Sequence, residues 1–218
     1  MESNNDNQVK SRQRVADHGE VFTSEREVNA MLDLVKEQTE RIDSRFLEPA
    51  CGNGNFLVEV LRRKLNEIER RYAKSQLEFE RYSIIAVGSI YGIDLLIDNV
   101  LDCRKRLFSL FNTNYSKLFK RKSKDQCKKA IKYILDKNIL CGNALTLKNH
   151  KNEPLVFSKW ELAMRSNVKR HDFLFEELLQ NDGDGLFQKK SDIGTPSFIP
   201  KSIKEFPLTH MFSLPEYD

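Results

Sequence analysis

Apolar residues recur at helical spacing in five segments of the chain. In the first, residues 28–35 carry apolar side chains at positions i, i+3, i+4 and i+7, which predicts an amphipathic helix with one apolar face. Ser24 and Glu27 have capping-box spacing at its start, so that each side chain can bind the other residue's free backbone N–H. The same pattern predicts further helices over 56–72, 77–87, 98–111 and 125–135.

Short apolar runs between these helices predict strands over 44–47, 90–93 and 138–141, with 155–157 as a fourth. Strands that alternate with helices favour a parallel sheet. We therefore predict an α/β fold, with a mostly parallel sheet flanked by helices, in a domain over residues 20–180. The polar residues 1–19 are predicted to be disordered. Glycines and prolines interrupt the pattern over 181–218, which predicts a loose C-terminal tail.

The composition is that of an ordinary globular protein, with 39% hydrophobic and 31% charged residues. No apolar run reaches the roughly 18–20 residues that a membrane helix needs, and the polar N-terminus lacks the apolar core of a secretory signal. These features predict a cytoplasmic protein without membrane contact. The four cysteines are widely separated, which predicts reduced thiols and no metal site. The net charge of +4 permits nucleic-acid contact without requiring it, and the basic segment 117–129 is interpreted first as a solvated surface.

The clearest candidate site follows the first predicted strand, where residues 48–57 read EPACGNGNFL. Gly52 and Gly54 lack the Cβ atoms that would keep a ligand away from the backbone. A dinucleotide-binding turn would have a third glycine, at the position of Leu57, and would hold a pyrophosphate at the helix N-terminus. Glu48 stands at the strand end instead, and a carboxylate there repels phosphate. It suits the ammonium and sulfonium groups of S-adenosylmethionine.

Two further strand ends carry polar residues that suit the rest of this ligand. Asp94 can accept both ribose hydroxyls of an adenosine, and the amide of Asn143 can pair with the adenine edge. Ligands of open α/β sheets bind beyond the carboxyl ends of the strands, so these residues are predicted to converge. Taken singly, the glycines could form a plain tight turn, Asp94 could cap a helix and Asn143 could be a turn residue. Their order at three successive strand ends favours the cofactor.

These motifs resemble those of the adenine-specific DNA methyltransferases of restriction–modification systems. Residues 48–57 resemble the first motif of that family, 90–94 the second and 139–145 the third, and 21–24 are similar to the motif that precedes them. The order matches the gamma arrangement of type I modification subunits. The resemblance covers residues 15–147 and implies a Rossmann-like, S-adenosylmethionine-dependent methyltransferase fold. It implies a cofactor site formed by Phe22, Thr23, Glu48, Ala50, Gly52, Asn53, Gly54, Asn55, Phe56, Asp94, Leu95, Asn143 and Ala144.

The resemblance also assigns roles to these residues. Phe22 and Thr23 would close over the methionine part of the cofactor, and the first motif would hold its amino-acid portion. Asp94 would bind the ribose. Asn143 would bind the adenine, although the family usually has Asp at that position, and Ser24 replaces the usual Pro of the preceding motif.

The catalytic motif of the family, Asn-Pro-Pro-Tyr or Asp-Pro-Pro-Tyr, has no counterpart, because no two prolines are adjacent in this chain. In that family the Asn or Asp and a neighbouring carbonyl accept the protons of the adenine amine, and the aromatic ring stacks on the flipped base. Trp160, near the predicted fourth strand, could stack on a base, but an aromatic anchor is the simpler interpretation. The catalytic residues therefore remain unknown.

The function that the resemblance implies is methyl transfer from S-adenosylmethionine to the N6 amine of adenine in DNA. A partner chain is expected to supply the catalytic motif and target recognition, and the chain alone is expected to bind DNA weakly. One alternative is a catalytically inactive, S-adenosylmethionine-binding regulatory module. Another is a small-molecule or RNA methyltransferase that uses Asp172 in the polar segment 168–173, for which a solvated turn is the simpler interpretation.

Overall fold

The computed structural model describes residues 10–179 and 201–216 of the chain. Its helices are α1 (Arg12–His18), α2 (Glu25–Asp33), α3 (Lys36–Glu40), α4 (Asn55–Tyr72), α5 (Gln76–Gly88), α6 (Ile97–Phe119), α7 (Asp125–Asn138) and α8 (Phe175–Leu179). The predicted capping box at the start of α2 is confirmed, because the Ser24 hydroxyl accepts the Glu27 N–H and the Glu27 carboxylate accepts the Ser24 N–H. Within the described residues, none of the helices combines the length and apolar character needed to cross a membrane.

Three short strands form the predicted parallel sheet. They are β1 (Phe46–Glu48), β2 (Ile90–Asp94) and β3 (Ile139–Cys141), in the order β1-β2-β3. In the register, Glu48 lies opposite Gly92, and Asp94 lies opposite Cys141. The carboxyl ends of all three strands therefore meet at one edge of the sheet. The chain is a mixed α/β protein.

The second sheet differs from the prediction. The fourth strand, β4 (Val156–Leu162), pairs antiparallel with β5 (Asn167–Leu174), and β6 (Lys204–Glu205) and β7 (Thr209–His210) pair antiparallel with β5. A mostly parallel sheet was therefore wrong for this part of the chain. The reason is the short connection over 163–166, because parallel strands need a crossover of about a dozen or more residues, whereas a short turn permits only a hairpin.

An apolar cluster covers each face of the parallel sheet. Since successive residues of a strand point to opposite faces, Ile90 joins a large cluster with α4–α7, and Tyr91 joins a smaller one with residues of β4 and β5. Phe157 of β4 packs edge-on against Tyr91, with 5.3 Å between the ring centroids. The antiparallel sheet thus covers the face of the parallel sheet that the large cluster does not.

A buried lysine ties together the amino ends of β1 and β2. Lys64 of α4 is fully buried, and its Nζ donates to the carbonyls of Ile42 and Ser44 and to the hydroxyl of Ser89. Burial lowers the pKa of Lys64 to about 7, because the charged form is poorly solvated in the interior. The interior therefore holds an ammonium group near its titration point.

Segments near both ends of the chain are more ordered than the sequence predicts. Residues 12–18, expected to be disordered, form α1, whose capping residue Ser11 accepts the Arg14 N–H. Residues 201–216, expected to be a loose tail with isolated apolar anchors such as Phe206, contribute β6 and β7 and bury Phe206, Met211 and Leu214. The remaining parts of these predictions, residues 1–9, 181–200 and 217–218, lie outside the described residues.

Candidate functional site

A cavity of about 240 Å³ lies at the carboxyl ends of β1 and β2. Its walls are residues 50–53 of the glycine turn (residues 49–54), the first residues of α4 and α6, and the strap (residues 19–23) that joins α1 to α2. Ten of the thirteen residues predicted for the cofactor site line it, namely Phe22, Thr23, Glu48, Ala50, Gly52, Asn53, Asn55, Phe56, Asp94 and Leu95. The tertiary structure therefore assembles most of that set around one space.

Both glycines of the turn have positive φ, 51° at Gly52 and 89° at Gly54. A Cβ at Gly52 would lie 2.9 Å from the Phe22 ring, and one at Gly54 would lie 2.6 Å from Cys103 Sγ. Glycine is needed here so that the strap and α6 can pack against the turn, in a backbone conformation that L side chains rarely adopt. Gly54 does not line the cavity, and its contact with a ligand stays a prediction.

Asp94 links the turn to the end of β2. Its Oδ2 accepts the Gly52 N–H at 2.9 Å, and its Oδ1 accepts the Leu96 N–H at 2.9 Å and an N–H of the Asn99 amide at 3.2 Å. A carboxylate oxygen can accept two hydrogen bonds, so Oδ2, with one bond, retains a second acceptor position in a residue that lines the cavity. Asp94 is therefore more than a local turn residue, since it joins segments that are far apart in sequence.

Glu48 brings a weakly hydrogen-bonded carboxylate to the cavity. It is half-buried at the end of β1, and burial raises the pKa of its carboxyl group. Its contact with the Ala50 N–H is long, at 3.4 Å, and among the described residues it forms no salt bridge. A partly desolvated carboxylate without a counter-ion favours a cationic ligand.

Asn55 and Arg106 hold the strap and the turn together. The Asn55 amide donates to the Thr23 carbonyl at 2.8 Å, while Arg106 Nη1 donates to the Asn53 carbonyl at 2.8 Å and to Asn55 Oδ1 at 2.7 Å. Both ends of the Asn55 amide are therefore engaged. The contact of Asn55 with the ligand stays a prediction, but its function in positioning the strap follows from this geometry.

Comparison with family models matches residues 22–163 to the family described as MmeI, DNA-methyltransferase domain. The chain belongs to the MmeI DNA-methyltransferase domain family. This membership supports a restriction–modification DNA methyltransferase. The matched range contains the glycine turn and all three parallel strands, and it ends one residue beyond β4. No curated protein and no solved structure matches the chain.

Two polar residues of this MmeI-family site were missed from the sequence. The Asn99 amide donates to Glu20 Oε1 and to Asp94 Oδ1, and Arg14 Nη2 of α1 donates to Glu20 Oε1 at 2.8 Å. The contact with Arg14 lowers the pKa of Glu20. A hydrogen-bonded path thus runs from α1 through the strap to Asp94. Its members Glu20 and Asn99 are 79 residues apart, so no local pattern could reveal it.

The third strand end contributes nothing to the cavity of the MmeI-family domain. Asn143 and Ala144 are absent from its lining, and Asn143 Oδ1 accepts the N–H groups of Leu145 and Thr146 at 2.8 and 3.2 Å. This is the local turn that was the alternative interpretation of Asn143. Contact of Asn143 with adenine and of Ala144 with the cofactor stays a prediction, and the observed bonds of Asn143 Oδ1 do not favour the former.

The other two sequence candidates lie in the antiparallel sheet. Trp160 is buried in β4, where its ring packs edge-on against Tyr133 with 6.0 Å between centroids. Asp172 is buried rather than in a solvated turn, and it forms a 2.7 Å ion pair with Arg170 and accepts the Ser158 hydroxyl at 2.7 Å. Neither residue lines the cavity. Both hold the second sheet together.

Proposed function

We propose that this chain binds S-adenosylmethionine in the cavity and is the cofactor-binding part of an adenine-specific (N6) DNA methyltransferase of a restriction–modification system. The observation that carries the proposal is a pair of acceptors in the cavity lining, Glu48 with a single long hydrogen bond and Asn53 Oδ1 with none among the described residues. Glu48 has no salt-bridge partner, and Asn53 Oδ1 is buried without a hydrogen-bond partner among the described residues. The ammonium group of S-adenosylmethionine would supply both a positive charge and N–H donors.

The remaining lining residues suit the other parts of the cofactor. The open acceptor position of Asp94 would bind a ribose hydroxyl, at one edge of the cavity that Leu95 also lines. Phe22 of the strap packs over Gly52 and would cover the methionine portion, excluding water from it. When bound, the cofactor supplies an electrophilic methyl group. The residues of this chain bind and orient that group at the carboxyl edge of the sheet.

Methyl transfer to adenine also requires an acceptor for the protons of the exocyclic amine. The lining of the cavity contains no Asn or Asp followed by two prolines, since the chain has no adjacent prolines. We therefore propose that a partner chain provides this acceptor, the stacking aromatic and target recognition. The same observation favours a second candidate, a regulatory module that binds the cofactor without transferring its methyl group.

Calorimetry with three ligands tests the cofactor site. S-adenosylmethionine and S-adenosylhomocysteine share the ammonium group, whereas adenosine lacks it. Replacing a charged hydrogen-bond partner costs about 1.5–3 kcal/mol, so Glu48→Gln should weaken binding of the first two ligands about tenfold to a hundredfold and leave adenosine unchanged. Glu37→Gln removes the same charge from an exposed position on α3 and is the matched control. Equal effects of both variants would contradict the assignment.

Methyl transfer is tested separately with tritiated S-adenosylmethionine and mixed-sequence DNA. The purified chain should transfer no label to DNA above background. Its cavity lacks the acceptor for the protons of the adenine amine, and general-base assistance of this kind contributes about 10²–10⁴-fold in rate. Sustained turnover by the chain alone would contradict the need for a partner. Transfer that appears only with a partner carrying the missing motif would exclude the regulatory module.

A further inference from the structure

Helix α1 is attached to the rest of the fold by charged side chains. None of its described side chains is buried. Arg14 forms an ion pair with Asp98 at 2.6 Å, and Lys10, just before the helix, forms ion pairs with Asp98 and Asp102 at 3.1 Å each. Both aspartates belong to α6 and are about half exposed. Solvent therefore has access to the contacts that hold α1 in place.

An attachment of this kind is easily broken. Exposed ion pairs are individually weak, because water and dissolved salt screen the two charges. With 7 residues, α1 is also too short to be stable by itself in water. The other helices around the cavity, α2, α4 and α6, each bury apolar side chains in the core. We therefore expect α1 to open at a lower free energy than these helices.

Opening of α1 would release one end of the strap. At the far end from α1, Phe22 is buried, so apolar contact fixes that part of the strap. At the near end, the Glu20 carboxylate accepts hydrogen bonds from Arg14 of α1 and from Asn99 of α6. Residues 19–21 line the cavity together with Asn99. Displacement of α1 would therefore uncover the side of the cavity next to the start of α6.

We propose that α1 is an electrostatic latch on this cavity. In the latched state, Lys10 and Arg14 hold the near end of the strap against α6. When their ion pairs with Asp98 and Asp102 break, α1 and residues 19–21 move away and the cofactor enters or leaves. This inference rests on the proposed function, because it takes the ligand to be S-adenosylmethionine. The ion pairs lie outside the cavity, so they should govern the rates of binding and release more than the affinity.

Surface plasmon resonance with S-adenosylhomocysteine over the immobilised full chain tests the latch. The variant Asp98→Asn/Asp102→Asn removes the two carboxylates that hold it, neither of which lines the cavity, and it leaves the bonds of Glu20 in place. The association and dissociation rates should both rise about threefold or more, with the Kd changed less than about twofold. The matched control, Asp125→Asn/Asp136→Asn, removes two ion-paired carboxylates from α7 and should change neither rate. Unchanged rates, a rise in the dissociation rate alone, or equal changes in the control would overturn the inference.

Salt distinguishes a latch made of charges from one made of packing. In about 0.5 M salt, the ratio of variant to wild-type rates should fall towards one, because salt screens exposed ion pairs. A ratio that stays constant would overturn the electrostatic character of the latch. Lys10→Met repeats the test from the side of α1 if the double variant melts early, and it should raise both rates in the same direction.

Hydrogen exchange of the free protein follows the latch without a ligand. The backbone amides of residues 12–21 should exchange about threefold faster or more in the Asp98→Asn/Asp102→Asn variant, while those of α4 keep their wild-type rates. Faster exchange with unchanged S-adenosylhomocysteine kinetics would mean that α1 opens without controlling the cavity, which overturns the inference. If the wild type binds no S-adenosylhomocysteine, the proposed function fails. Unchanged exchange in the variant overturns the latch in either case.

Discussion

The two ends of the parallel sheet hold ionisable groups of opposite sign that differ in how fully they are hydrogen-bonded. At the carboxyl end, the half-buried Glu48 carboxylate has one long contact, 3.4 Å from the Ala50 N–H, and no salt bridge among the described residues. At the amino end, the buried Lys64 ammonium donates to two carbonyls and a hydroxyl. The difference teaches that a charge whose hydrogen bonds are filled within the fold serves the structure, whereas one with open bonding positions is available to a ligand.

The largest effect is expected from a methyl group added at Gly54, which should break the carboxyl-end site by unfolding it. Gly54→Ala places a Cβ 2.6 Å from Cys103 Sγ at a φ of 89°. Overpacking and left-handed strain together should cost about 3–4 kcal/mol, measured by urea denaturation. Gly19→Ala is the matched control, because its φ is 63° but its Cβ would meet open space, and it should cost only about 1 kcal/mol. Similar losses in the free energy of unfolding of both variants would mean that the contact with Cys103 does not destabilise the Gly54 variant.

The amino end should respond to pH through Lys64. Because its folded pKa, about 7, lies below the unfolded value, the folded state binds fewer protons between the two. The free energy of unfolding should therefore rise with pH from about 7 to about 10, by up to about 1.4 kcal/mol per unit. Lys64→Met should remove this part of the slope in denaturation curves recorded across that range. A slope identical in the variant would show that Lys64 keeps its ordinary pKa.

Asp94→Ala should change the carboxyl end of the sheet and leave the amino end as it is. The variant loses the bond to the Gly52 N–H and the acceptor proposed for the ribose, so S-adenosylhomocysteine affinity should fall about tenfold to a hundredfold. The pH dependence of stability that Lys64 contributes should stay as in the wild type. Calorimetry and denaturation curves on the same variant check both statements, and a change in both would mean that the two ends are not independent.

The smallest effect is expected from Asn99→Ala, which cuts the path from α1 to Asp94. Asn99 has no proposed ligand contact, and loss of a neutral hydrogen bond costs about 1 kcal/mol, so cofactor affinity should fall about fivefold. Arg14→Ala breaks the same path at its outer end and should have an effect of the same direction, because it frees Glu20. Unchanged cofactor affinity in both variants would mean that the hydrogen-bonded path from α1 to Asp94 only holds the strap in place.

Much of the fold could be read from local patterns. The bounds of α4, α5 and α7 lie within three residues of those predicted, because the spacing of apolar residues over a few turns decides which helix face is buried. The glycine turn was located correctly for a similar reason. Residues 48–57 are contiguous, and positive φ at Gly52 and Gly54 is a local property of the backbone.

The sequence by itself determined where the long helices and the three parallel strands form and which strand ends carry polar residues. Only the tertiary structure decided which strands pair and which polar groups meet. It placed β4 in an antiparallel sheet and Asn143 in a local turn, and it brought Glu20 within hydrogen-bonding distance of Asn99, which is 79 residues away in sequence. The spacing of apolar residues shows which face of one helix or strand is buried. Strand pairing and long-range hydrogen bonds depend instead on how segments that are distant in sequence pack against one another. The difference between Glu48 and Lys64, at the two ends of the sheet, arises from that second kind of information.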